Sequence, residues 1–534
     1  MKLKMPLPDI SESEKTPLVL TLLTIIEHQS NIINQLAEEI QLLKDEIARL
    51  KGLKPKPEIR PSRLESSKNK KSKSAKKKKR AGSQKRQKTK ELEIHETQDV
   101  EPENIPPRSI FKGYKTFVVQ GLEITAHNIC YRLKTYQTPD GQYISAKPPA
   151  LLNGKHFSPE LIAYILYQHH QCGVTQPLLL EQLREFGVDI SSGMLNNILI
   201  EDKSAFHREK NRMITTGLEV SNYINVDDTG ARHNGKNGYC THIGNEYFSW
   251  FESTESKSRI NFLRLLRAGH TDYLINADAI AYMEANKLPK KALAPIIEGI
   301  GSIFADDAQW NDFLSQNGIV KDRHVKTATE GALIGSIIEH GVSDHLVIVS
   351  DDAGQFNVLL HALCWIHAER VIARIIPFTD QAKTDLESVR DQIWHLYEGL
   401  KMYKEAPSPE AKKSLEEMFD CIFTTKTTSA MLNAALKRIH ANKAELLLVL
   451  ERPDIPLHNN GAENAIREYA KKRKISGSTR SEAGRRSRDT FTSLKKTCRK
   501  LGISFWQYLK DRVENSGLIP ELSDLIRERA LSPG

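Results

Sequence analysis

Residues 17–51 contain no Gly, carry Pro only at their first position and repeat apolar residues every seven. Setting Val19, Ile26, Ile33, Ile40 and Ile47 at heptad position a puts Leu22, Gln29, Leu36, Leu43 and Leu50 at d, a seam interrupted only at Gln29. Ile at a with Leu at d favours a parallel two-stranded coil, and in this register Glu39 and Glu46 at g face Lys44 and Lys51 at e of a partner. A homodimer through residues 17–51 is the expectation. After residue 105 the period shortens to two in FVVQGLEI (117–124) and YRLKTYQ (131–137). Pro139-Asp140-Gly141 then turns the chain into QYISAK, the pattern of a small β module. Beyond Pro148-Pro149 a helical period returns over 159–170, 176–186 and 191–200, with breaks at Gly173 and Gly187. Three such helices, the last opening on Ser191-Ser192 as a candidate N-cap, predict a helix-turn-helix in which Ser192, Asn196 and Asn197 reach DNA base edges. Two strand-like runs follow, SNYINVDD and HLVIVSDD, and helical patterns fill 378–404 and 409–450.

Charge changes this picture through its placement. The net charge is +10, but residues 54–90 hold 17 Lys/Arg against two Glu, or +15, which leaves the rest of the chain near −5. A segment with three prolines, many Ser and Lys, and almost nothing to bury builds no core. It reads as a disordered basic strap making salt-dependent DNA contacts without sequence information. No run approaches the ~20 apolar residues of a membrane span. The six cysteines are scattered without a CxxC pair, as in a reducing compartment. A cytoplasmic, nucleoid-associated protein is expected.

The candidate chemistry lies in acids at strand ends. One β-prone run ends in Asp227-Asp228, and a second, downstream, ends in Asp351-Asp352. Hard divalent cations take oxygen ligands, and two held about 4 Å apart stabilise both the attacking and leaving oxygens of an in-line phosphoryl transfer. Asp-Asp-Thr and Asp-Asp-Ala-Gly are also ordinary polar turns, and alternation does not choose within either pair because both faces of these strands look buried. The third element is LHNNGAENAIREYAKKRK. Asn460 is a candidate helix cap, with Glu463 in the first turn and Arg467, Lys471 and Lys474 following on the same side. A capping-box role for Glu463 is the competing reading.

INVDDTGARHNGKNGY, VIVSDDAGQF followed by LCWIHAER, and LHNNGAENAIREYAKKRK occur in order, and together they resemble the three blocks of the bacterial DDE transposases of the insertion-sequence 66 family. The resemblance spans about residues 155–515. It implies an α+β chain with an RNase H-like (DDE) catalytic core, in which Asp227, Asp351 and Glu463 are the catalytic, metal-holding acids, with Asp228 and Asp352 as second candidates. It also implies a helical insertion before the Glu463 helix, and Arg467, Arg473 and Lys474 on DNA phosphates. Cys364, Trp365, His367 and Arg370 match the family's CWxHxxR block. Zinc there is not expected, for Cys364 and His367 have no second ligand pair at suitable spacing.

The expected organisation is a dimerisation helix at 1–53, a linker at 54–104, the β module at 105–150 and the helix-turn-helix at 151–205. The core begins at 206–370 with an insertion at 270–340, is interrupted by helices at 371–455, and ends with the glutamate helix and C-terminal helices at 456–534. The expected activity is Mg2+-dependent cleavage at transposon ends and 3′-OH strand transfer into target DNA, with two metal ions and Mn2+ able to substitute. Terminal inverted repeats, target DNA and small accessory proteins are the expected partners. A DNA-binding regulator that no longer cuts is the alternative.

Overall fold

The structure, a computed structural model, describes residues 16–19, 21, 25, 29, 94–149 and 156–532. Residues 17–19, 21, 25 and 29 are helical; most of the heptad seam and all of the basic strap at 54–90 lie outside the described residues. The chain divides into two units, one containing residues 25–124 and the other 125–534 with a short N-terminal piece.

In the first unit, residues 94–124 form neither helix nor strand, and Phe117, Val119 and Leu122 are exposed. The β module expected over 105–150 is thereby reduced to one hairpin in the second unit, β1 (Thr135–Gln137) and β2 (Tyr143–Ser145), closed by the Pro139-Asp140-Gly141 turn. Alternation in FVVQGLEI does not become a strand, because a strand needs a ladder partner and a face to bury, and a lone two-stranded hairpin supplies neither.

The second unit continues with α1 (Pro159–His170), α2 (Gln176–Glu185) and α3 (Ser192–Ile200). Their ends follow local chemistry: Ser158 Oγ accepts the Leu161 amide, Ser191 Oγ accepts the Met194 amide, and Pro occupies the first turn of α1 and α2. Next come α4 (Ser204–Val220), β3 (Tyr223–Gly230), β4 (Tyr239–Gly244), β5 (Ser249–Thr254), α5 (Arg259–Leu266), β6 (Tyr273–Leu274), α6 (Ala277–Ala285), α7 (Lys290–Glu298), β7 (Ile303–Phe304), α8 (Asp307–Gln316) and α9 (Asp322–Glu339). They are followed by β8 (Val347–Ser350), β9 (Leu360–Leu363), α10 (Trp365–Ala373), α11 (Asp380–Glu405), α12 (Pro409–Thr424), α13 (Ala430–Ala441) and α14 (Lys443–Leu446). The last four are α15 (Asn460–Ser476), α16 (Glu482–Lys500), α17 (Phe505–Glu514) and α18 (Leu522–Leu531).

Five strands make one mixed sheet in the order β5-β4-β3-β8-β9. The β3/β4 and β4/β5 pairs are antiparallel, whereas β3/β8 and β8/β9 are parallel. The central strands are covered on both faces, which explains their unbroken apolar runs. Ile224, Val226 and Ile348 point into a core shared with α4 and α9, while Val347 and Val349 point into a second core built with α10 to α13.

Residues 270–340 are not a separate inserted body. Ala328, Leu333 and Ile337 of α9 lie in the same core as the sheet residues Ile224 and Ile348, so α9 is one wall of the core. Two glycines one turn apart let α6 close onto α9: a Cβ at Gly331 would lie 2.7 Å from the Met283 side chain, and one at Gly335 2.5 Å from the Leu274 carbonyl oxygen. Asp278, Asp306 and Asp307 belong to helix starts here; Asp306 Oδ1 caps α8 by accepting the Gln309 amide at 3.0 Å.

The outer strand β5 is sealed by side chains of α16. The amides of Ser249, Phe251 and Ser253 donate to Thr497 Oγ1 (3.0 Å), Ser493 Oγ (2.9 Å) and Asp489 Oδ2 (2.8 Å). Alternate strand residues thus meet helix positions four apart, and an edge that would template pairing with another chain is closed.

Candidate active site

Asp227 and Asp228 lie inside β3, which continues to Gly230 in its pairing with β4, and not at the strand end as expected, whereas Asp351 directly follows β8. The parallel ladder pairs Tyr223 with Val347, Ile224 with Ile348 and Asn225 with Val349; continued two residues, that register sets Asp227 beside Asp351. Burial pushes the Asp227 carboxyl up to about 7, with the negative charges of Asp351, Asp228 and Glu463 adding to the effect. Its Oδ1 accepts the Asp228 amide at 2.8 Å, which opposes that rise.

Each neighbouring aspartate is engaged elsewhere. Asp228 accepts a hydrogen bond from Gln355 Nε2 at 2.8 Å; burial raises its pKa, against the opposing charge of Lys257. Asp352 is paired with Arg438 of α13 and accepts from Asn442 Nδ2 at 3.4 Å. Asp351 Oδ1 accepts only the nearby Ala353 amide, at 3.2 Å, among the described residues.

Glu463 lies in the first turn of α15, on the side of the helix that meets α10. Its Oε1 accepts from Arg370 at 3.2 Å and lies 3.7 Å from His367 Nε2, while Arg467 lies 4.0 Å from Oε2. The CWIHAER block therefore delivers two cationic or titratable side chains to one carboxylate. Cys364 and Trp365 do a different job. Cys364 Sγ accepts the Asn459 amide at 3.2 Å, and Trp365 Nε1 donates to the Leu446 carbonyl at 2.9 Å inside the second core. Among the described residues, no tight group of three metal-type donors includes Cys364, His367 or the three acids; the one such group is at His270, Asp272 and His340.

The α15 helix starts one residue earlier than the cap assigned to Asn460. Asn459 is the residue before the helix, and its side chain caps nothing. Instead, Asn459 Oδ1 accepts from Asn225 Nδ2 at 2.9 Å, and Asn459 Nδ2 donates to the Val226 carbonyl at 2.7 Å. The buried Asn459 thus clamps the glutamate helix to the strand that carries Asp227. Sequence reasoning missed this clamp, although Asn225, a polar residue inside an apolar strand, was a signal for it. It also missed Gln355, which lies four residues past Asp351 but reaches Asp228 on the other strand, and Arg438 and Asn442, which lie far from the acids in sequence; all three roles depend on tertiary packing.

Of the proposed DNA-binding residues on α15, Arg467, Lys471 and Lys474 are exposed. Arg473 is folded back: a Cβ on Gly230 would lie 3.4 Å from its guanidinium, and its Nε is buried without a partner. On α3, Ser192 and Asn197 are exposed and Asn196 is half-buried, while Leu195 and Leu199 face inward. No described helix is long and apolar enough to cross a membrane.

The sequence model of the IS66 transposase family matches residues 335–487, a span that holds Asp351, the CWIHAER block and Glu463 but not Asp227. An uncharacterized protein of Sinorhizobium fredii (strain NBRC 101917 / NGR234), y4jO, is 44% identical over 321 residues, which cover 60% of this chain and all of the relative. With the matched blocks lying on β8, α10 and α15 around one group of acids, the chain belongs to the IS66 transposase family.

Proposed function

We propose that the chain is the transposase that cuts the ends of its element and joins them to target DNA, with Asp227, Asp351 and Glu463 as the metal-holding acids. The observation that carries this reading is the register that sets Asp227 beside Asp351 while Glu463 adds to the negative charge felt by Asp227. The order β5-β4-β3-β8-β9, three strands antiparallel and two added in parallel, supports an RNase H-like core. The donor set fits Mg2+: all-oxygen ligands, and a carboxyl whose proton affinity is raised by burial and, beyond that, by like charges that a cation would relieve. When bound, a pair of Mg2+ ions would neutralise charge on the attacking and leaving oxygens and lower the pKa of the attacking water.

The chain's own residues supply geometry. Asn459 fixes α15 to β3, so the third acid keeps its place relative to the first. Arg370 and His367 orient Glu463. Gln355 and Arg438 hold Asp228 and Asp352 away from the pair, leaving Asp227 and Asp351 as the ligands. The exposed Arg467, Lys471 and Lys474 follow Glu463 along one helix side and would hold the DNA backbone, as phosphate contacts position without reading sequence. In the same reading, the heptad helix joins two chains, the basic strap tethers DNA, and α1 to α3 read the inverted repeats.

The test is a plasmid carrying the element's ends, incubated with Mg2+ and wild-type, D227N or E463Q protein. Cleavage and joining should vanish in both variants while end binding, read by gel shift, persists. Mg2+-dependent cleavage by both variants would overturn the assignment.

A further inference from the structure

We propose that His270, Asp272 and His340 form a binding site for a borderline divalent cation such as Zn2+, separate from the carboxylate site and independent of the function proposed above. The three side chains offer one donor atom each within 4.8 Å of one another. The two imidazoles stack with centroids 3.5 Å apart and planes 11° from parallel. The stack brings one donor nitrogen of each ring to the same place beside Asp272.

The carboxylate between them is fixed in advance. Asp272 Oδ1 lies 2.8 Å from His340 Nε2, and Asp272 Oδ2 accepts from the buried Ser336 at 3.1 Å. Arg267 donates to the Asp272 backbone carbonyl at 2.6 Å and so fixes the loop itself. Outer partners of this kind hold a ligand in its binding orientation. The Asp272–His340 hydrogen bond leaves the His270 ring unexplained, since that ring forms no hydrogen bond among the described residues.

Two imidazoles and one carboxylate suit Zn2+ over Mg2+, which takes oxygen donors. A neighbouring cavity of about 200 Å³, lined by His270, His340, Arg267 and Glu219 among others, admits the water that would complete a four-coordinate site. The placement gives the site a purpose. His270 and Asp272 precede β6, and His340 directly follows α9, seven residues before β8. An ion here would clasp the entry and exit of the segment 270–340, just ahead of the strand that leads to Asp351.

The experiment uses full-length protein stripped with a chelator and titrated with ZnCl2 under excess Mg2+ in a calorimeter, with Co2+ absorption as a second readout. Wild-type protein should bind Zn2+ at this site and melt at a higher temperature with it. H270A and H340A should each weaken Zn2+ binding by at least about tenfold and abolish the Co2+ absorption band. D227N should bind Zn2+ like wild type. Failure of wild type to bind Zn2+, unchanged binding in both histidine variants, or loss of binding in D227N would each overturn the proposal. H270A replaces an exposed loop residue, so its result stands even if H340A melts early.

Discussion

Asn459→Ala isolates the clamp between the third acid's helix and the first acid's strand. Asn459 is 1% exposed, and its amide joins Asn225 Nδ2 and the Val226 carbonyl at 2.9 and 2.7 Å. Truncation leaves the buried Asn225 amide without its acceptor and removes a donor from Val226. At about 1–3 kcal/mol for each of the two buried groups left unpaired, the loss is about 2–6 kcal/mol. With about 2–4 °C per kcal/mol for a domain of this class, Tm should fall by roughly 4–24 °C. Asn459→Asp separates the two halves of the bond. It keeps an acceptor for Asn225 but turns a second oxygen on the Val226 carbonyl, next to Asp227, and should be at least as damaging. The double variant N225A/N459A removes both partners, so its cost should fall short of the sum of the single ones. Thermal unfolding by circular dichroism and end cleavage on the same samples are the assays. An N459A protein that melts within about 1 °C of wild type and cleaves normally would show that the clamp is incidental and that α15 is placed by apolar packing alone.

Gly335→Ala should destabilise by about 1–3 kcal/mol or more, since the new methyl meets the Leu274 carbonyl at 2.5 Å and Asn276 Oδ1 at 2.8 Å; urea unfolding measures it. The double change S493A/T497A deprives the Phe251 and Ser249 amides of their acceptors and should cost about 2–5 kcal/mol, with aggregation on heating read by light scattering. Burial holds His361 down to about 4, so the folded state keeps it neutral while the unfolded chain protonates near 6.5. Its contribution is intact above pH 6.5 and is lost as pH falls toward 4, on the order of 1–2 kcal/mol by pH 5, and H361Q should flatten that part of a Tm-against-pH curve. Arg370→Ala removes the closest cation from Glu463 and should lower end cleavage with little change in Tm, because the pair is partly exposed; an unchanged cleavage rate would remove Arg370 from the site.

The end of β8 was legible because a β-branched run closed by two aspartates is a local pattern, and the same holds for α1 to α3, whose caps and breaks are all within a few residues; β3 runs past its aspartates to Gly230 because β4 pairs with it there. The choice within each aspartate pair was not legible from spacing. The surroundings of each aspartate depend on register, on Gln355, which lies four residues past Asp351 yet bonds Asp228, and on Arg438, which comes from a distant segment. FVVQGLEI misled because alternation records a capacity to pair, and no pairing strand is present among the described residues. The reading of 270–340 as an insertion failed for a related reason: helix α9 shows its own periodicity in sequence, but only the sheet it covers reveals that it is part of the core. Asn459 and Asn460 are equally good caps by composition, and the tertiary bond to Asn225 decides which one lies outside the helix.

The sealing of β5 by Asp489, Ser493 and Thr497 also sets an order of events during synthesis. The strand is made some 240 residues before the groups that close it, so its amides must wait, exposed, while nearly half of the chain is still being translated. Glu463 also arrives late, 112 residues after Asp351. A polypeptide cut short by a premature stop before α16 lacks the seal, and one that ends before α15 lacks the third acid too. Incomplete copies of the gene would therefore yield sticky, short-lived fragments in place of partly active enzymes, and integrity of the reading frame becomes a condition that the fold itself enforces.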